Sequence, residues 1–120
     1  MKVYTTRDSV AAGDDVDAPH ERIFSFLDSL STLEVISRIV ADGCLAKIAG
    51  EKATWSAVSG VPLAVVAQQW SEPRSVLWRQ LPLSELEQQD GMCRIRFNYH
   101  VQRDPEVVLQ IHKELKLRAP

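Results

Sequence analysis

The cleanest alternation of apolar and polar positions runs from Cys93 to Val101. Cys93, Ile95, Phe97, Tyr99 and Val101 are apolar. Arg94, Arg96, Asn98, His100 and then Gln102 carry hydrogen-bonding groups. A strand turns successive side chains to opposite faces, so this segment buries one row and presents the other to solvent or a partner. It reads as the strand around which a sheet is built. Lys2 to Val10 reads as a further strand, since Val3, Tyr4, Thr5 and Thr6 favour extended backbone. Residues 11–19, with Gly13, three aspartates and Pro19, read as a loop. Glu21 to Asp28 fits both a short strand and a helical stripe. A better helix start just beyond it favours the strand.

That start is Ser31-Thr32-Leu33-Glu34, a capping box in which the Ser31 hydroxyl accepts from the Glu34 amide. Leu33, Ile36 and Val40, with Ile39 beside them, form one face, and Gly43 supplies the stop, which predicts a helix from Thr32 to about Asp42. Lys52–Ser59 and Val61–Trp70 read as a hairpin turning at Ser59-Gly60. The apolar run Leu63–Ala67 predicts burial on both faces of its second arm. Ser75–Leu81 reads as a short strand, and Leu83–Gln88 as one helical turn. Asp104-Pro105 opens a last helix, with an N-cap aspartate and proline at the first helical position. Val107, Val108, Ile111 and Leu115 are its expected buried stripe.

The resulting order, β-β-α-β-β-β-β-α, predicts an α+β domain: a mostly antiparallel sheet of five or six strands with two helices on one face. The strand–strand–helix–strand order of residues 1 to about 70 resembles the β-grasp (ubiquitin-like) order. The resemblance rests on element order and carries no function with it.

With 120 residues, 45% hydrophobic and 25% charged, the chain reads as one globular domain spanning residues 1–120. A net charge of −2 gives no electrostatic case for general nucleic-acid binding. Two cysteines, Cys44 and Cys93, do not make a disulfide framework and read as buried thiols. No secretory leader or membrane-length apolar run is visible, so the expected compartment is the cytoplasm.

Candidate chemistry is sparse. Asp14, Asp15, Asp17, His20 and Glu21 place carboxylates beside an imidazole, as a metal or an acid–base site would need. Set as a calcium loop from Asp15, however, the stretch puts His20 where glycine is required and Phe26 where the bidentate glutamate belongs. Phe24 likewise stands at the second histidine of an H-E-x-x-H pattern. The stretch therefore reads as a polar turn. Five glycines form neither a P-loop nor a dinucleotide fingerprint, so no cofactor and no metal are expected.

The polar row Arg94, Arg96, Asn98 and His100 is the leading partner-binding candidate. Same-face neighbours lie about 6.5–7 Å apart along a strand, close enough for two guanidinium groups to grip one anionic surface. The bland alternative is a solvated face with cross-strand partners such as Glu51 or Glu72. Trp78 beside Arg79 adds an aromatic anchor if it shares that face, while Trp55 and Trp70 read first as core or border residues. The expected function is a small non-catalytic module that binds a protein partner or itself, as a homodimer, through the arginine-bearing face or an edge strand. The alternatives are a small hydrolase using the Asp14–Glu21 stretch and a weak single-strand nucleic-acid binder using Arg94, Arg96 and Trp78.

Overall fold

A computed structural model gives the arrangement of residues 1–8, 20–45, 52–77 and 81–118, with side chains described as far as residue 114. The alternating segment becomes β7 (Met92–Tyr99) and sits at the centre of the sheet. Its odd row turns inward: Cys93, Ile95 and Phe97 are fully buried and Tyr99 is half-buried. β1 (Lys2–Arg7) and β2 (Glu21–Ser25) form an antiparallel hairpin, so the ambiguous segment is a strand. β3 (Thr54–Ser59) and β4 (Val61–Ala67) form a second hairpin round Gly60, whose φ of +73° suits a residue without Cβ. Arg74–Ser75 makes a two-residue β5 on the outer edge of β4.

β7 enters between the two hairpins. It runs antiparallel to β3 and parallel to β1, giving the order β2-β1-β7-β3-β4-β5. A short β6 (Gln88–Gln89) folds back on the start of β7. The pair turns at Asp90-Gly91, both at positive φ, as a tight hairpin requires. A 3-10 turn at Leu83–Glu85 precedes it, shorter than the helical turn expected there. The class is α+β, with a mostly antiparallel sheet and one parallel pair. The order β2-β1-β7-β3-β4 joins two antiparallel hairpins through the parallel pairing of β1 with β7.

The first helix, α1 (Thr32–Ala41), starts where the capping box placed it. Ser31 Oγ accepts from the Glu34 amide at 3.2 Å, and its hydroxyl lies 3.3 Å from the Glu34 carboxylate, to which it donates. Thr32, Val35, Ile36 and Ile39 are buried, with Leu33 and Val40 flanking them. They close the sheet face that carries Val3, Ala57, Ala64, Ile95 and Phe97.

The second helix, α2 (Pro105–Arg118), lies on the other face. The two helices therefore divide between the faces instead of sharing one. The reason is register. Val66 pairs with Trp55 and joins the α1 core, so its neighbour Val65 points the opposite way and needs a separate cover. Val108 and Leu109 of α2 supply that cover, with Val76 and Trp70. The continuously apolar β4 is thus buried on both faces, as is its neighbour β3, whose second row carries the buried Thr54 and Ser56.

The stripe of α2 is also rotated from the expected one. Pro105, Val108 and Leu109 are buried and His112 half-buried, whereas Val107 and Ile111 are about half exposed. Positions 105, 108, 109 and 112 share a helical face and 107 and 111 lie beside it. The cluster under the helix is narrow, so it takes only one of the two apolar faces.

Val101, in the turn between β7 and α2, has φ +52°. The turn is pinned from both sides, by the Thr54 amide on the Val101 carbonyl at 2.9 Å and by Thr54 Oγ1 on the Arg103 carbonyl at 2.8 Å. A left-handed conformation at a β-branched residue costs on the order of 1–2 kcal/mol. Its side chain is 53% exposed, so little packing offsets that cost. Val101→Asn should raise stability by about 1 kcal/mol, read as a higher urea midpoint, because Asn tolerates this region. Val101→Ala, which keeps the Cβ clash, should show no comparable gain.

Candidate functional site

The even row of β7 lies on the α2 face of the sheet, and α2 covers only part of that face. The helix packs on the β4–β5 end and reaches as far as His100. Beyond it, no helix among the described residues covers the half made by β7, β1 and β2. Strand register fills this half residue by residue. Tyr4 lies beside Arg94 and Thr6 beside Arg96, and on the far side Ile23 lies beside Tyr4 and Glu21 beside Thr6. Arg94 and Asn98 are half-buried, and Arg96 is exposed.

The two arginines differ in how they are held. The Arg96 guanidinium pairs with the Asp8 carboxylate and donates from Nε to Asn98 Oδ1 at 3.0 Å. The second Asp8 oxygen accepts from the Tyr99 amide at 2.9 Å. Asp8 follows the last residue of β1, and its carboxylate serves the β7 amide that the next strand residue would have served. The acid that reaches the arginine row is therefore Asp8. Glu51 lies outside the described residues, and none of the ion pairs described involves Glu72.

Arg94 is held differently, by one neutral contact, from Nη1 to Gln89 Oε1 at 2.6 Å. No carboxylate among the described residues forms an ion pair with it. Tyr4 bridges the two signs of charge next to it. The Glu21 carboxylate near its phenol pushes its pKa up, while the Arg94 charge acts in the opposite sense. The open half-face thus presents Lys2, Arg94, Tyr4 and Ile23 together, with Arg96 already paired with Asp8.

His100 does not stand in this open half. Its Nε2 lies 2.8 Å from the buried Ser56 Oγ, and its ring meets the edge of His112 on α2 at 5.2 Å. His112 Nδ1 donates to the Val108 carbonyl at 2.8 Å, which fixes that ring in the seam. Burial, then the nearby His112 and Arg103, lower the His100 pKa, and Asp8 acts against them. The histidine is a strut between sheet and helix. Trp70 and Arg74 belong to the same seam. Arg74 stacks on the Trp70 ring at 4.1 Å and pairs with Glu106 of α2 at 2.6 Å. Trp55 is core, tilted against Tyr99 at 4.7 Å. Trp78 lies outside the described residues.

Of the acidic stretch, Asp14, Asp15 and Asp17 also lie outside the described residues. His20 and Glu21 are drawn into the β1–β2 hairpin, through the Arg7 amide on the His20 carbonyl and the Glu21–Tyr4 contact. Cys44 and Cys93 are free and buried. Burial raises both thiols, Cys93 to about 11, so neither is a thiolate at neutral pH. Among the described residues no three potential metal ligands gather, and no helix is long and apolar enough to cross a membrane.

Tyr4 and Asp8 were invisible as site residues in the sequence. Their proximity to the arginines comes from a parallel pairing between segments almost 90 positions apart. The only local signal was the polar character of Tyr4 and Thr6 within a strand. Searches against protein families, curated proteins and solved structures found no match.

The histidine seam sets a pH dependence. The folded His100 pKa lies below the ordinary value of about 6.5, so the unfolded chain binds the proton first as pH falls. The contribution is intact above about pH 6.5 and is lost as pH drops through the folded pKa. His100→Gln, which keeps a partner for Ser56, should flatten the part of the stability curve below about pH 6.5 relative to the unaltered chain. Chemical denaturation at stepped pH reads this directly. Parallel curves for the two proteins would exclude His100 as the source.

Proposed function

We propose that this chain is a small non-catalytic interaction module that binds a protein partner, or a second copy of itself, through the open half of its sheet and the adjoining edge strand β2. A cytoplasmic setting fits its buried free thiols. The observation that carries the reading is the unequal cover of one sheet face. Among the described residues α2 closes the β4–β5 end and leaves Tyr4, Arg94 and Asn98 half-exposed beside the exposed Arg96 and Ile23. A flat, mixed apolar and cationic surface suits the core and rim of a protein interface better than a small-molecule pocket, which is concave.

The charge of the face selects the partner. Arg96 has its carboxylate, whereas among the described residues Arg94 is bonded to a neutral amide, and the exposed Lys2 stands on β1 in the same row as Tyr4. An acidic segment supplies the missing counter-charge.

Fluorescence anisotropy with extended peptides of matched length, acidic against neutral, tests this reading. The acidic set should bind, weaken with added salt, and lose about tenfold or more in affinity on Arg94→Glu, equivalent to roughly 1.4 kcal/mol. Arg74→Glu, on the closed side, should leave binding unchanged. Equal binding of both peptide sets, or no effect of Arg94→Glu, would reject this face as the binding surface.

A further inference from the structure

We propose that β2 pairs antiparallel with β2 of a second copy about a two-fold axis through Ile23, joining two sheets into one. This rests on the interaction-module reading and specifies its edge strand as a self-association surface.

The sheet has two ends. One is β5, two residues long and too short to template another strand. The other is β2, five residues in unbroken register with β1. The Arg7 amide bonds the His20 carbonyl at 3.1 Å, the Phe26 amide bonds the Met1 carbonyl at 3.0 Å, and Thr5 Oγ1 reaches the Arg22 carbonyl at 3.1 Å. Antiparallel ladders alternate, so the peptide groups of residues 20, 22, 24 and 26 face β1. Those of Glu21, Ile23 and Ser25 face outward, and nothing among the described residues pairs with them.

Edge strands are ordinarily protected by proline, lysine, a bulge or an inward charge. Glu21-Arg22-Ile23-Phe24-Ser25 has no proline, lysine or bulge. Its inward charge, Arg22, is already neutralised by Asp42 on the α1 side and lies 4.8 Å over the Phe24 ring. The two most exposed large apolar side chains of the described residues stand on or next to this edge: Leu27 at 71% and Ile23 at 59%.

The strand is complementary to itself. Centred on Ile23, the pairing sets Ile23 against Ile23 and Glu21 against Ser25 on one face, and Arg22 against Phe24 on the other. No like charges meet, the isoleucines cover each other, and Arg22 gains a second aromatic face. All three outward-facing residues meet in hydrogen-bonded register. Such an isologous contact closes at two copies and does not propagate. Five residues per strand bury less than a standard interface, so the dimer is weak and concentration-dependent.

Sedimentation equilibrium of the full chain should show the mass rising from one copy towards two over about 10–1,000 µM, the range where small interfaces associate. Ile23→Lys and Ile23→Glu should each be monomeric over that range, since like charges would then face each other. An equimolar mixture of the two should associate again, because the altered side chains lie opposite. Circular dichroism confirms that the variants are folded. Amide exchange gives an independent reading. The Glu21, Ile23 and Ser25 amides should gain protection with concentration, while those of Arg22 and Phe24 are protected throughout.

A wild-type monomer at every concentration overturns the proposal, as does a dimer indifferent to both single variants. A dimer lost with Arg94→Glu but not with either Ile23 variant would place self-association on the sheet face, so this inference would fail while the interaction-module reading stands. A monomer that also ignores acidic peptides would end both.

Discussion

The seam between β1 and β7 is the contact on which the rest of the fold depends. It is the one parallel pair among the described strands, and it joins segments almost 90 positions apart. Each hairpin alone is a two-stranded ribbon, too small to persist in water. Inserting β7 between them makes one sheet and buries Val3 and Thr5 beside Cys93 and Ile95 under α1. The ladder ends at Arg7, and Asp8 extends it by one side-chain bond to the Tyr99 amide. That same carboxylate holds Arg96, so the seam that closes the core also orders the polar row.

The two faces of this sheet are finished differently. α1 lies over a broad apolar surface and buries four side chains. α2 lies over a narrow one, held by Val65 and Val76 beneath it, by Arg74 clasped between Trp70 and Glu106, and by the His100–Ser56 contact at its inner margin. A helix with so small a footprint cannot cover a sheet this wide. The uncovered half is therefore a consequence of where the apolar positions of β4 fall.

Much of this was legible in the chain. The capping box at Ser31 placed α1 to within a residue. The alternation at Cys93–Val101 identified the central strand, and the apolar run Leu63–Ala67 announced a strand buried on both sides. Asp104-Pro105 marked the start of α2. These signals are local: a cap, a period of two, a fixed φ. What failed was also informative. α2 has two adjacent apolar stripes, and the sequence offered no basis for choosing Val108 and Leu109 over Val107 and Ile111, because the choice belongs to the surface beneath. His100 looked like part of an exposed row, and position along a strand does not reveal that a helix will lie over one end of it.

The sequence by itself determined the element types, the α+β class, and which row of β7 is polar, because those depend on neighbouring side chains and backbone preference. The tertiary structure decided that β7 runs parallel to β1, that the helices take opposite faces, and that Tyr4 and Asp8 meet the arginines while His100 is taken into the seam. Those outcomes depend on contacts between segments tens of residues apart, whose relative register is set by the joint burial of both partners and is encoded in neither one.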